Sequence, residues 1–214
     1  MIKLAIFDHD MTIVDSSYAI MAGFNHAARK IGLPEVSHEL TMQYIATPLP
    51  TFCEGLLGEY RPEWIKLYRE NMPEYERKLI KPFPDTVSTL TSLHDMGVKL
   101  AVVSNREYPA AALKHSGLAP YFDAIVGSDE PYGHLPYKPN PAMINVLLEH
   151  MNIPCDETVY VGDADLDIVT AKAAHVRAIG ITAGNFSHEE FRILGAWKSI
   201  DTLSELVHIV RQDA

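Results

Sequence analysis

Short apolar runs ending in polar residues recur along this chain, and five stand out: residues 4–7, 100–103, 124–126, 159–161 and 178–181. Most lack apolar–polar alternation, the mark of strands buried on both faces of a parallel sheet. Between them lie segments with helical spacing. Val87, Leu90 and Leu93 recur every third position before Met96-Gly97, where the glycine predicts a helix stop. Met143, Val146, Leu147 and His150 trace a second stripe, opened by Asn140-Pro141. A third helix is predicted over 168–174, directly behind an acidic cluster. A closing helix over 202–211 would carry Leu203, Leu206, Val207 and Val210 on one face. Strands alternating with helices in this way predict an α/β fold built on a doubly wound parallel sheet.

One interval breaks the rhythm. Residues 16–81 contain no convincing strand, only helical patterns punctuated by Gly32-Leu33-Pro34, Thr47-Pro48-Leu49-Pro50 and Arg61-Pro62. A structureless loop of that length does not fit inside a compact domain. The expectation is therefore a small α-helical domain at 16–81, inserted into a core formed by 1–15 and 82–214. Pro82-Phe83-Pro84 would mark the return to the core.

The 214 residues suffice for one core with such an insertion and need no covalent staples. Apolar residues make up 47% and charged residues 21%, and no stretch approaches the ~18 apolar residues of a membrane span. The opening residues MIKLAIFD lack a basic segment, an apolar h-region and a cleavage site, so a cytoplasmic protein without membrane association is expected. Cys53 and Cys155 belong to no CxxC or Cys/His pattern and read as small buried hydrophobes. A net charge of −10 argues against nucleic acid as a partner. It leaves room for a small phosphorylated ligand, because a metal ion and one lysine can reverse the potential locally. Both a monomer and a homodimer are compatible with the sequence.

Candidate chemistry gathers at strand ends. In Ile6-Phe7-Asp8-His9-Asp10-Met11-Thr12, two carboxylates two residues apart follow a buried strand. Open α/β sheets place their sites beyond the carboxyl ends of the strands. Carboxylates this close raise one another's pKa unless a cation intervenes. A plain acidic turn would explain the segment if it stood alone. However, a second buried strand ends in Gly162-Asp163-Ala164-Asp165-Leu166-Asp167. Oxygen ligands drawn from separate strands suit a hard cation such as Mg²⁺. Asp163 and Asp167 would share a face if the helix has begun by then, and Asp165 would face away. An EF-hand is excluded, since the required glycine and glutamate are missing. Ser104-Asn105, closing a third strand, offers a hydroxyl and an amide to phosphate oxygens, although the pair is also an ordinary turn. Lys138, in Tyr137-Lys138-Pro139-Asn140-Pro141, is held by restricted backbone.

Taken in order, DxDxT, a Ser-Asn strand end, Lys-Pro and GDxxxD resemble the haloacid dehalogenase superfamily, and the resemblance covers nearly the whole chain. It implies that family's Rossmann-like core, with the insertion as its helical cap. It also implies roles. Asp8 would attack phosphorus and form an aspartyl-phosphate. Asp10 would protonate the leaving group and then activate water. Thr12 would hold the loop, orient Asp10 and belong to the phosphate-binding set with Ser104 and Asn105. Lys138 would neutralise charge on the nucleophile and the phosphoryl group. Asp8, the Asp10 carbonyl and Asp163 would hold Mg²⁺, with Asp167 as a direct or outer partner.

His9 and Met11 depart from the family's usual Asp-Leu-Asp-Gly-Thr, and Ala164 replaces a frequent serine. Methionine reaches glycine's backbone angles only at a cost, so a shifted phosphate loop is expected. The presence of Asp10 counts against the family's dehalogenases and phosphonatases. A sugar-phosphate mutase of the β-phosphoglucomutase type and a catalytically silent binding module remain as alternatives to hydrolysis. No GxGxxG follows the first strand, which disfavours a dinucleotide-binding protein. Val14-Asp15-Ser16, Ile45-Ala46-Thr47-Pro48-Leu49 and Pro82-Phe83-Pro84-Asp85 most resemble the phosphoglycolate phosphatase group, making phosphoglycolate the first expected substrate. Cap movement about hinges near 15–17 and 81–84 is expected.

Overall fold

The computed structural model describes residues 1–45, 47, 49–106 and 108–213. Ala46 and Pro48, part of the segment compared with phosphoglycolate phosphatases, lie outside the described residues. The chain begins with β1 (Leu4–Phe7) and β2 (Val14–Asp15), followed by α1 (Ser17–Lys30), α2 (His38–Tyr44), α3 (Leu49–Leu57) and α4 (Pro62–Leu79). β3 (Lys81–Pro82) and α5 (Thr86–Asp95) lead to β4 (Lys99–Val103), α6 (Pro109–His115), β5 (Ala124–Val126) and α7 (Ala142–Met151). The final stretch holds β6 (Thr158–Gly162), α8 (Asp165–Ala173), β7 (Arg177–Ile181), α9 (His188–Leu194), β8 (Lys198–Ile200) and α10 (Glu205–Gln212).

Two compact units result: Met1–Val14 with Pro82–Ala214, and Asp15–Lys81. The first unit is built on a six-stranded sheet in the order β5-β4-β1-β6-β7-β8, with every pairing parallel. This is the doubly wound α/β fold that the strand and helix pattern predicts. β1 lies between β4 and β6, pairing Phe7 with Val102 on one side and Val161 on the other. The register brings the ends of the three strands level, at the point where the strand order reverses. Leu4, Ile6, Val103, Tyr160 and Ile168 are fully buried in one core cluster, which explains why these strands read as unbroken apolar runs.

The helices form where the periodicity places them, with two refinements. In α5 the buried stripe is Thr86, Thr89, Leu90 and Leu93, while Val87 is exposed. In α7 it is Met143, Ile144 and Leu147, and His150 lies outside it. The pattern passed over β8, whose three residues include one buried apolar side chain, and the short helices α6 and α9.

The second unit is helical throughout α1–α4 and has its own core. Phe24, Phe52, Cys53 and Trp64 are buried together. The Trp64 indole stacks on Tyr68 and lies 4.7 Å from the Phe24 ring. The segment after α1 is clamped by Asn25, whose side chain donates to the Val36 carbonyl at 3.0 Å and accepts its N–H at 2.8 Å.

Candidate active site

Asp8 is the first residue beyond β1, and its N–H continues the ladder by donating to the Val161 carbonyl at 2.9 Å. Its carboxylate is therefore fixed by the centre of the sheet. Asp163 follows β6 directly, and Asp167 lies in the first turn of α8. Oxygens of Asp8, Asp163 and Asp167 all lie within 4.8 Å of one another, and all three residues are buried. Asp163 precedes the helix, so these two aspartates converge from a loop and a helix rather than along one helical face. Asp165 is exposed, as expected.

Lys138 enters this cluster almost completely buried. Its three N–H groups find three partners: Asp8 Oδ1 at 2.7 Å, Asp167 Oδ1 at 2.7 Å and the Tyr160 hydroxyl at 3.2 Å. Asn105 Oδ1 accepts the Lys138 backbone N–H at 2.7 Å, so Asn105 positions the lysine loop. Thr12 is fully buried and donates its hydroxyl to Asp163 Oδ1 at 3.1 Å, which aims a carboxylate of the cluster. Ser104 Oγ accepts the Arg106 N–H at 3.2 Å, leaving its own proton to donate.

Two glycines make room for the carboxylates. A Cβ on Gly162 would lie 2.3 Å from the Asp167 carboxyl carbon, and one on Gly184 would lie 2.2 Å from Asp163 Oδ2. The first glycine of GDxxxD is thus required by close approach.

Sequence reasoning missed two residues. Tyr160 is buried in β6, its hydroxyl 3.2 Å from the Val103 carbonyl and 3.1 Å from Asp167 Oδ1, both acceptors. The signal was a tyrosine at the centre of a doubly buried strand, where its hydroxyl must find a partner. Arg106 grips Asp10 side-on, with Nε 2.7 Å from Oδ2 and Nη2 2.7 Å from Oδ1. Its signal was its place directly after Ser104-Asn105.

The loop's departures are absorbed in place. Met11 adopts φ = 54°, the left-handed region that glycine enters freely, so the loop makes a glycine-like turn at this position. His9 is fully buried. Its Nδ1 lies 3.3 Å from Asp10 Oδ1 but is not aligned for a hydrogen bond, and neither ring nitrogen has a hydrogen-bond partner among the described residues.

The electrostatics identify what the cluster accommodates. Burial pushes the Asp8 carboxyl up to about 7, with Asp167 and Asp10 adding to the rise and Lys138 opposing it. Burial, then Asp167 and Asp8, hold Asp163 well above the carboxylate range. Burial alone would lower Lys138, but Asp167 and Asp8 hold it charged, well above its ordinary value. Against the upward push of burial, the Arg106 guanidinium and then His9 keep Asp10 well below the carboxylate range. Three buried carboxylates facing one lysine are an all-oxygen donor set short of positive charge, and a hard divalent cation fits it.

A pH signature follows. Between about 4, where an ordinary aspartate titrates, and about 7, native Asp8 keeps a proton that the unfolded chain has released. Stability without a cation should therefore fall as pH rises through that window, and a bound cation should suppress the fall. The melting-temperature difference between Mg²⁺ and EDTA samples is expected to widen from pH 5 to pH 7. A difference that stays constant or narrows would count against a cation at this cluster.

A parallel sheet with carboxylates gathered at its switch point is the arrangement of an α/β enzyme, and its oxygens could hold a cation. Comparison with known proteins identifies the family. The haloacid dehalogenase-like hydrolase profile matches residues 5–181. The phosphoglycolate phosphatase of Vibrio parahaemolyticus is 28% identical over 226 aligned positions, covering 100% of this chain and 98% of its own. A pyrophosphatase of Halalkalibacterium halodurans is 29% identical over 178 positions, covering 82% of this chain and 81% of its own. A haloacid dehalogenase-like family hydrolase of Streptococcus pneumoniae has the same fold, with a TM-score of 0.84 at 19% identity over 98% of both chains. The chain belongs to the haloacid dehalogenase-like hydrolases. Within them it is a phosphatase, and its buried acidic cluster could hold a metal ion. No helix among the described residues is long and apolar enough to cross a membrane.

Proposed function

We propose that this protein hydrolyses a small phosphate monoester, phosphoglycolate first among them, using Mg²⁺ and a phosphorylated Asp8. The observation that carries this reading is the Lys138 ammonium, bonded at 2.7 Å to both Asp8 and Asp167 inside a buried carboxylate cluster. Burying three carboxylates around one lysine is costly as pure architecture. It is what a phosphoryl-transfer site requires, where catalysis is mostly positioning and charge stabilisation.

Asp8 Oδ2 is the oxygen that Lys138 does not occupy, and it would attack phosphorus as the ester oxygen departs on the opposite side. Lys138 holds the nucleophile in line and offsets the charge that spreads over the phosphoryl oxygens. Ser104 Oγ donates to one of those oxygens. Asp10 is ionised beside Arg106 before substrate binds. It takes up a proton as the anionic substrate enters, gives it to the departing oxygen, then takes one from the water that cleaves the aspartyl-phosphate and returns Asp8 and inorganic phosphate. Asp8, Asp163 and the Asp10 carbonyl would hold Mg²⁺, with Asp167 beside them and Thr12 aiming Asp163. Bound there, the ion supplies Lewis-acid stabilisation of the phosphoryl charge. The phosphoglycolate phosphatase and pyrophosphatase relatives support small anionic substrates.

The test is phosphate release from a panel of small esters and pyrophosphate, in Mg²⁺, Mn²⁺, Ca²⁺ or EDTA. Release with Mg²⁺, strongest on phosphoglycolate and lost in EDTA, is expected. Equal release in EDTA sinks the metal assignment, and no release from any member sinks the phosphatase reading.

A further inference from the structure

The Asp10–Arg106 pair has a geometry that the proposed reaction does not by itself require. Arg106 follows the Ser104-Asn105 strand end, and its backbone N–H is tied to Ser104 Oγ. From there the side chain reaches both oxygens of Asp10, each nitrogen at 2.7 Å. The pair is not sealed, since the two side chains keep 19% and 25% of their surface exposed. The pair thus reaches solvent, whereas Asp8, Asp163 and Asp167 are buried.

Distances say what the guanidinium meets. Asp10 must come within ~2.6–3.2 Å of the leaving-group oxygen to exchange a proton with it. The Arg106 nitrogens are 2.7 Å from those same Asp10 oxygens. They consequently lie within about 6 Å of the leaving oxygen, a reach that takes in the first one or two covalent bonds of the leaving group. A carboxylate or phosphate at that distance would face Asp10 as a like charge, in a chain whose net charge is already −10. Arg106 offsets that repulsion, and its planar fork matches a carboxylate or phosphate face. A leaving group ending in a methyl or hydroxyl gains nothing comparable.

We propose that Arg106 selects the leaving group. It binds the anionic substituent of phosphate esters or anhydrides that carry a carboxylate or phosphate within about two bonds of the scissile oxygen. This rests on the phosphatase reading above and narrows it. When substrate enters, the guanidinium exchanges part of its grip on Asp10 for the substrate anion, so Asp10 can turn to the leaving oxygen. Phosphoglycolate and pyrophosphate both satisfy the requirement, and ethyl phosphate, of the same reach as phosphoglycolate but without the carboxylate, does not.

The experiment measures kcat/KM for phosphoglycolate, pyrophosphate and ethyl phosphate in the native enzyme, Arg106→Leu and Arg106→Lys, with thermal melting to confirm folding. The native enzyme is expected to prefer at least one anionic substrate over ethyl phosphate by roughly 10- to 100-fold, the range of a charge-assisted contact. In Arg106→Leu that ratio should collapse towards one, mainly through KM, and Arg106→Lys should restore part of it. A collapse confined to phosphoglycolate identifies the carboxylate as the anion recognised, and one confined to pyrophosphate identifies the second phosphate. If Arg106→Leu lowers all three substrates by the same factor, Arg106 only orients Asp10 and the proposal is overturned. A native enzyme that treats ethyl phosphate like the others overturns it too, while leaving the phosphatase reading intact. No release from any of the three removes both. Should Arg106→Leu not fold, the native ratio and the Arg106→Lys ratio decide the matter alone.

Discussion

Replacing Asp8 with asparagine is expected to lower kcat by about 10⁴-fold or more, the scale on which a lost nucleophile registers, while raising the melting temperature of the metal-free protein at pH 8. The two effects have one cause. The Asp8 carboxylate sits at the end of β1 among Asp10, Asp163 and Asp167, and burial pushes its titration up to about 7. At pH 8 without a cation it is ionised in a site that resists the charge, and an isosteric amide removes that conflict. Asparagine keeps an oxygen that can accept from Lys138 Nζ, so the 2.7 Å contact survives in shape. An amide cannot form the acyl-phosphate that a carboxylate forms, so turnover stops. At pH 5 native Asp8 is already protonated and neutral, and the stability gain should largely vanish. Phosphate release and thermal melting in EDTA at both pH values check this. A variant that loses activity together with stability at pH 8 would mark Asp8 as a structural aspartate.

Much of the carboxylate cluster was readable from the sequence, for a physical reason. A parallel sheet presents its polar residues just beyond buried strands, so Asp8, Asp163 and Asp167 stood out after apolar runs. Lys138 was readable from its rigid flanks. Tyr160 and Arg106 were harder, because each acts through a contact distant in sequence. Tyr160 looks like one more strand residue until Lys138 Nζ is found 3.2 Å from its hydroxyl. Thr12 read from its motif as holding the loop, and its hydroxyl bond to Asp163, 151 residues away, is not announced by any local pattern. β8 escaped because a three-residue strand with one buried apolar side chain carries too little pattern to register.

The departures at His9 and Met11 show a different limit. Residue types predicted a cost and the structure locates it. Met11 holds a left-handed backbone at about 1–2 kcal/mol, while its side chain is buried and recovers a comparable amount through burial. His9 buries two ring nitrogens that no hydrogen bond among the described residues satisfies, beside the carboxylate that Arg106 also holds. Two groups able to carry positive charge thus converge on Asp10, and neither is visible as a pair in the linear sequence.

Lys138→Met should be the most damaging substitution for stability. The Lys138 and Asp167 side chains are 2% and 1% exposed, and Asp8 is 11% exposed. Methionine fills most of the lysine's volume, so the change isolates the charge. Removing one partner of a buried pair strands the other, at a cost of about 3–5 kcal/mol, or roughly 6–20 °C in melting temperature for a chain of this size. Here two carboxylates and a phenol lose their common donor at once. If that is the origin of the loss, the same substitution made in an Asp167→Asn background should cost less, with a coupling of about 0.5–3 kcal/mol in a double-mutant cycle. Added Mg²⁺ should recover part of the stability, because a cation at the same oxygens offsets the same charge, yet turnover should stay down about 10³-fold for want of the ammonium at the phosphoryl group. Lys138→Arg should not rescue turnover, since a planar fork cannot reach Asp8, Asp167 and the Tyr160 hydroxyl in the three directions that a compact ammonium serves. Equal costs in the two backgrounds would mean that the lysine's packing, and not its charge, holds the site together.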